Sequence, residues 1–285
     1  MPAARDSAGT PLPAAPRTWL FVPADDPRKL DSALRSTAAV VVADLEDAVA
    51  PAGKELALRA ACEFMRCAAD GRRVVRINDP AGELGRRDLD ALAATVDVPA
   101  LMVPKATRAS VAQSVAAGVR PIALLESARG ILELEAIAAL EGVLALALGA
   151  VDLRAELGLA SSAEELELLY ARSRLVLAAA AAGLPAIDAV QLDLDDDAGL
   201  ARAAGRARAL GFAGMLCVHP RQLATVDGAF APSAEELEHA RRVLAAYERA
   251  LREDRGATTQ DGEMVDLATV RRARALLGES GLASG

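Results

Sequence analysis

PIALLESARGILELEAIAALEGVLALALGAVDL, residues 121–153, contains the unit from which most of the chain is built. An apolar run, PIALLES from Pro121, leads into a segment of helical periodicity over 130–140 and then into a second apolar run, VLALALGA from Val143. Short runs rich in leucine, valine and isoleucine, joined through a helix, read as parallel strands buried on both faces. The same rhythm extends outward in both directions, through TWLFVP from Thr18, AVVVADLE from Ala39, RVVRIN from Arg73, ALMVPK from Ala100, LPAIDAV from Leu184 and GMLCVHP from Gly214. Helical segments are expected between them over 27–36, 52–70, 86–95, 107–117, 163–182 and 197–210. Eight strands alternating with helices predict an α/β fold of the closed (β/α)8 TIM-barrel type. An open doubly wound sheet would leave strand edges to protect.

Outside that rhythm, Pro- and Ala-rich residues 1–16 read as a flexible tail, 17–230 as the barrel and 231–285 as a C-terminal helical extension. In the extension Ser233 opens S-A-E-E, a capping-box pattern, into a long helix reaching about Glu253. The polar segment Asp254–Gln260 is expected to be mobile, and a last helix to run from Leu267 to Leu277.

Composition narrows the function. The 285 residues hold 32 basic against 40 acidic side chains, a net charge of −8, with no basic stripe to hold a phosphate backbone, so a nucleic-acid partner is not expected. Three cysteines, Cys62, Cys67 and Cys217, form no C-x-x-C pair, which argues against a zinc ribbon or disulfide framework and fits a reducing cytoplasm. No run reaches the ~18–20 apolar residues of a membrane span, and the first sixteen lack the apolar core of a secretory signal. A soluble cytoplasmic protein without a membrane partner is expected.

Barrel chemistry sits where the strands end. Those ends carry Asp44, Glu46 and Asp47, Arg76 and Asn78, Lys105, Glu126 and Ser127, Asp152, Asp188 and Asp193, and His219. Gathering charge at one rim costs desolvation unless it is paired, which points to an enzyme. Glu126 and Asp152 end adjacent strands, and two carboxylates with open positions suit Mg²⁺, with Mn²⁺ also possible. Their competing reading is helix capping, Glu126 for a helix near Arg129 and Asp152 for LRAELG. Arg76, within an apolar strand, needs an anion: a substrate carboxylate, a thioester enolate, or the Asp44/Glu46/Asp47 group, including an internal pair with Glu46. His219 reads as a structural hydrogen-bonding residue, His239 as solvent-exposed and Cys217 as a small core residue.

Seven motifs occur in order over about residues 17–277: RTWLFVPAD from Arg17, ADLEDAV from Ala43, VRIN from Val75, VPK from Val103, LESARG from Leu125, GAVDL from Gly149 and CVHPRQ from Cys217. Together they resemble the citrate lyase β-subunit-like branch of the HpcH/HpaI aldolase family. The resemblance implies a usually trimeric barrel that, with Mg²⁺, makes or breaks a carbon–carbon bond between an acyl-CoA enolate and a 2-oxo acid. It implies Glu126 and Asp152 as metal ligands, with Glu126 also facing substrate, and Arg76 as the group that binds substrate oxygens. Glu46 and Asp47 would orient Arg76 and metal-bound water. Asp266, in GEMVD, would be an acid/base group of raised pKa reaching a neighbouring subunit of a homotrimer, and Arg28 and Lys29 would meet CoA phosphates. Val151, Met215 and Ala268 depart from the glutamate, lysine and proline frequent in relatives, which bears on the acyl-group and CoA contacts. The expected reaction is cleavage of a malyl-, citramalyl- or citryl-CoA-type thioester to acetyl-CoA and a 2-oxo acid, or its reverse, by a free-standing protein. Alternatives are a CoA-independent pyruvate-type aldolase, a non-catalytic acyl-CoA binder and a carrier-protein-dependent subunit.

Overall fold

The computed structural model describes residues 12–13, 16–66, 71–95 and 100–278. Most of the expected tail, Cys67, the expected helix end at 67–70 and residues 279–285 lie outside the described residues. Eight parallel strands close into a barrel in sequential order. They are β1 (Thr18–Pro23), β2 (Val40–Asp44), β3 (Arg73–Arg76), β4 (Ala100–Val103), β5 (Arg120–Leu125), β6 (Ala145–Leu148), β7 (Ala186–Asp188) and β8 (Gly214–Cys217). Closure is made by β1 on β8, with Trp19 opposite Leu216 and Leu20 opposite Cys217.

Alternation along each strand sorts the side chains into two layers. Trp19, Val40, Val42, Val74, Met102, Ile122, Leu124, Ala147, Ile187 and Leu216 fill the barrel interior. Their neighbours Leu20, Val41, Ala43, Val75, Leu101, Leu125 and Leu146 face outward and pack with the helices. Trp19 is fully buried, and its indole N–H donates to the Pro16 carbonyl at 3.0 Å, so the one large polar-edged ring in the core is satisfied.

The surrounding helices are α1 (Pro27–Leu34), α2 (Lys54–Arg66), α3 (Glu83–Ala93), α4 (Arg108–Ala116), α5 (Ala128–Leu132), α6 (Leu134–Ala138), α7 (Ala150–Leu157), α8 (Leu169–Ala181), α9 (Asp197–Leu210) and α10 (Leu223–Phe230). The helix expected over 130–140 is two short ones meeting at Glu133, and α10 was not anticipated. No helix among the described residues is long and apolar enough to cross a membrane.

The chain divides into two compact units, residues 1–230 and 231–285. The second holds α11 (Ala234–Arg252), β9 (Thr258–Gln260), β10 (Glu263–Val265) and α12 (Leu267–Leu276) around Ala240, Val243, Val265, Val270 and Ala273. Ser233 and Glu236 form the capping box of α11. The segment expected to be polar and mobile over 254–260 instead ends in a strand. Thr258–Gln260 pairs antiparallel with Glu263–Val265 through Asp261 and Gly262, both left-handed, the Asp-Gly turn that suits a two-residue hairpin.

Candidate active site

The inward parity of the core continues past the apolar layer and delivers the polar groups to one rim. Phe21, Asp44, Arg76 and Glu126 each stand two residues beyond an interior side chain, respectively Trp19, Val42, Val74 and Leu124. Phe21, Asp44, Asp47, Arg76, Glu126, Gly149, Val151 and Asp152 line a cavity of about 450 Å³.

Glu126 is almost fully buried, and its Oε1 accepts the Lys105 backbone N–H at 2.7 Å. Burial first, then the nearby charges of Glu46 and Asp152, push its carboxyl up to about 8, against the pull of the Lys105 N–H and Arg76. Helix capping does not explain this residue, because Ser127 caps α5 through its bond to the Gly130 N–H. Asp152 is the third residue of α7, which begins at Ala150 with Gly149 at its N-cap, three residues earlier than a cap at Asp152 would require. Glu126 fits beside α7 because position 149 is glycine. A Cβ there would lie 2.4 Å from the Glu126 Cβ and 2.5 Å from its Oε2. Nothing in the sequence pattern distinguished this glycine from an ordinary helix start.

A carboxyl that burial, with the Glu46 and Asp152 charges adding to it, keeps largely protonated near neutral pH would be drawn into its ionised form by a hard dication at the cavity. Among the described residues no group of three or more His, Cys, Asp or Glu could hold a metal. Two carboxylates beside an open cavity therefore fit Mg²⁺, which readily keeps water or substrate oxygens in its remaining positions.

Arg76 is gripped mainly by Asp44. Its Nε donates to Asp44 Oδ1 at 2.8 Å and its Nη2 to Oδ2 at 2.6 Å, a bidentate pair between register partners on β3 and β2. Asp44 also accepts the N–H groups of Glu46 and Ala48, so one carboxylate fixes both the guanidinium and the loop after β2. Glu46 and Asp47 are lesser partners than the resemblance implied. Glu46 Oε2 lies 3.1 Å from Nη1 without hydrogen-bond geometry, and the exposed Asp47 lies at 3.7 Å. The guanidinium stacks on the Phe21 ring at 4.8 Å. Although burial lowers its pKa, the Asp44 hydrogen bonds and the surrounding carboxylates outweigh it, so Arg76 stays charged.

Two lysines brace this loop. Lys105 Nζ donates to Glu46 Oε1 at 2.9 Å. Lys54, not anticipated, spends its donors on the Leu45 and Glu46 carbonyls, both at 2.6 Å, and on Asn78 Oδ1 at 2.8 Å, while Asn78 is held by buried Asp88. Burial pushes the Glu46 carboxyl up, opposed by Arg76 and Lys105.

Other rim residues are structural. Asp188 faces outward and pairs with buried Arg172 at 2.9 Å. His219 accepts the Arg221 N–H and caps a short turn. His239, expected to be free in solvent, is part-exposed and lies 3.8 Å from Glu263. Met215 is buried in the outer layer, so that departure does not reach the cavity, whereas exposed Val151 lines it. Arg28 and Lys29 are exposed at the start of α1, which follows the rim end of β1. Asp266 lies in the second unit as the N-cap of α12, accepting the Ala268 and Thr269 N–H groups. Its carboxyl is held below its ordinary range chiefly by the Thr269 backbone bond, with the Thr269 hydroxyl and Ala268 N–H adding to it. The expected upward shift from partial burial is therefore corrected.

Sequence comparison agrees with this geometry over the barrel, since the family described as HpcH/HpaI aldolase/citrate lyase matches residues 17–220. The chain belongs to that family. Within it, a citrate lyase subunit beta-like protein of Mycobacterium tuberculosis is 41% identical over 280 residues, covering 96% of this chain and 98% of the relative. A (3S)-malyl-CoA thioesterase of Cereibacter sphaeroides is 34% identical over 269 residues, covering 93% and 94%. A crystal structure of CitE from M. tuberculosis with magnesium, acetoacetate and coenzyme A superposes with a TM-score of 0.83 at 40% identity, covering 94% of this chain and 99% of that one.

Proposed function

We propose that this family member is a Mg²⁺-dependent carbon–carbon lyase for a 3-hydroxyacyl-CoA thioester of the malyl-, citramalyl- or citryl-CoA type. It would release acetyl-CoA and a 2-oxo acid, or condense them. The observation that carries this reading is that Glu126 and Asp152 line one cavity with Arg76. The M. tuberculosis relative crystallised with magnesium, an oxo acid and coenzyme A supports the substrate class.

In cleavage the bond between the hydroxyl-bearing carbon and the thioester α-carbon breaks. The hydroxyl loses its proton as that carbon becomes the 2-oxo carbon, and the electron pair moves to the α-carbon as an enolate, which takes up a proton to give acetyl-CoA. Glu126 and Asp152 would hold Mg²⁺, which when bound supplies Lewis acidity toward the oxygen that becomes the ketone. Arg76, fixed by Asp44 before substrate arrives, offers its remaining N–H groups to a substrate carboxylate or to the enolate oxygen. Preorganised charge of this kind costs no rearrangement during reaction. Glu46 and Asp47 support Arg76, and Arg28 and Lys29 are assigned to CoA phosphates. Asp266 is assigned as the acid/base group of a neighbouring subunit in a cytoplasmic homotrimer. Its proton exchange requires that contact with the neighbour displace some of its capping bonds, so Asp266→Asn should lower turnover while sedimentation still reports a trimer.

The test is incubation with malyl-, citramalyl- and citryl-CoA plus Mg²⁺, following 2-oxo acid and free CoA thiol in parallel. Oxo acid and acetyl-CoA in equal amounts support the lyase. Thiol without oxo acid would indicate thioester hydrolysis, the chemistry named for the C. sphaeroides relative. Near-normal turnover by Glu126→Ala at saturating Mg²⁺ would overturn the metal assignment.

A further inference from the structure

We propose that Lys105 is a positioning residue for the reaction, aligning Glu126 through its backbone N–H and Glu46 through its ammonium from a single left-handed turn. The inference rests on the reading of the site given above and adds a residue to it. Lys105 stands two residues beyond β4 with φ of +45°, one of four left-handed non-glycine residues among the described ones. Its N–H donates to the Glu126 carboxylate at 2.7 Å, and the next N–H, of Ala106, returns to the β4–β5 ladder by donating to the Leu124 carbonyl. The turn thus diverts one hydrogen bond of the ladder onto a side chain at the cavity.

Glycine would hold that backbone bond without the steric conflict of a Cβ at positive φ. A lysine in this conformation points to work done by the side chain, since strain of this kind persists where the surroundings fix it. Lys105 Nζ lies 2.9 Å from Glu46 Oε1. The other oxygen, Oε2, is buried without a hydrogen bond, 3.1 Å from Arg76 Nη1. Released from Lys105, the Glu46 carboxylate would turn both oxygens toward Arg76 and occupy N–H groups that the developing enolate oxygen needs. Lys105 therefore keeps Glu46 close enough to hold Arg76 charged but too constrained to consume it.

The experiment compares wild type with Lys105→Gly, Lys105→Met and Lys105→Arg in the acyl-CoA assay, in Mn²⁺ titrations followed by electron paramagnetic resonance, and in crystal structures. The glycine variant keeps the N–H to Glu126, so Mn²⁺ affinity should stay within about threefold while kcat falls about 10- to 100-fold, the usual cost of a lost supporting contact. KM should change by less than about threefold, a split expected when transition-state contacts rather than substrate binding are lost. Its melting temperature should be equal or higher, because glycine relieves the turn. Arginine should restore most of kcat, and methionine should not. In the glycine and methionine structures Glu46 should rotate onto Arg76. A glycine variant with kcat within about twofold of wild type, loss of Mn²⁺ binding along with kcat, or Glu46 unmoved would each overturn the inference. If glycine prevents folding, the methionine variant decides on the same criteria. Should wild type cleave none of the acyl-CoAs, the lyase reading fails separately, and the position of Glu46 in the variants still decides this one.

Discussion

Gly149 shows how a site can depend on an atom that is missing. The Glu126 side chain occupies the space where any other residue at 149 would place its Cβ, with 2.4 Å to the Glu126 Cβ, an atom that cannot swing away without moving β5. Gly149→Ala should therefore displace Glu126 and weaken Mg²⁺ binding by about tenfold or more, with the far-UV spectrum unchanged; calorimetric titration of Mg²⁺ measures it. Unaltered affinity would mean that Glu126 does not need its present position. Cys217 illustrates the opposite case, a reactive group silenced by packing. It faces outward from β8 into the helix layer, and burial pushes its thiol up to about 12, only partly offset by a backbone hydrogen bond from Trp19. At pH 8 the thiol would stay almost wholly protonated. Iodoacetamide should leave the Cys217 peptide unmodified in the native protein and label it fully in guanidinium, as read by mass spectrometry. Labelling of the native protein at a rate near that of the unfolded chain would contradict this packing.

At the scale of elements, the outer layer on one side of the barrel is held by a charge cluster that no local pattern announces. Glu165, itself left-handed, pairs with Arg154 of α7, Arg172 of α8 and Arg206 of α9, while Arg154 also reaches Glu167 at 2.9 Å. Burial pushes both glutamates up, but bonds from Arg154, with Ser162 for Glu167 and the other arginines for Glu165, outweigh it. Glu165 ends below its ordinary range and Glu167 at about 2. A carboxylate whose folded pKa is depressed contributes stability that is present above its unfolded value near 4.5 and lost as pH falls toward 2. Unfolding free energy should thus drop between about pH 5 and pH 2, and Arg154→Ala should flatten that drop while lowering stability at pH 7, checked by denaturant titrations across pH. Arg154 isolates the effect because it pairs with Glu165 and Glu167, whereas burial shifts Asp188, the partner of Arg172, the other way. An equal acid slope in the variant would remove the cluster from the account. The cluster was illegible in the sequence because its partners lie 7 to 41 residues apart, on three separate helices and the connection between two of them. The barrel was legible because each strand is a short apolar run, and the rim was legible because Asp44, Arg76 and Glu126 fall in phase with Val42, Val74 and Leu124. The sequence offers Arg76 the whole Asp44/Glu46/Asp47 group of the DLED motif, and only the cross-strand register gives Arg76 chiefly to Asp44 rather than to Glu46 and Asp47. The hairpin is written in the sequence as Asp261-Gly262, although the polar residues around it mask the turn.

For the molecule as a whole, the barrel interior is apolar from Trp19 to Leu216, and the charge withheld from it collects at one end. Around the cavity stand five carboxylates, Asp44, Glu46, Asp47, Glu126 and Asp152, braced by three cations, Arg76, Lys105 and Lys54. Ionising Glu126 without metal would therefore leave an excess of two negative charges there, partly in buried positions. A dication that binds only the folded barrel cancels that excess, so metal affinity and global stability are linked. At a Mg²⁺ concentration a hundredfold above its dissociation constant the linkage amounts to about 2.7 kcal/mol. For a domain of this size that corresponds to a rise of roughly 5–10 °C in melting temperature. The increase should be reversed by EDTA and absent in NaCl of equal ionic strength, which screens surface charge without occupying the carboxylate pair. Glu126→Ala removes one proposed ligand, a buried carboxyl whose ionisation costs desolvation. The variant should gain almost nothing in melting temperature from Mg²⁺. Differential scanning calorimetry of the two proteins with and without Mg²⁺ distinguishes this from general charge screening, since an equal Mg²⁺ gain in the variant would show that the ion stabilises the fold from somewhere other than this rim.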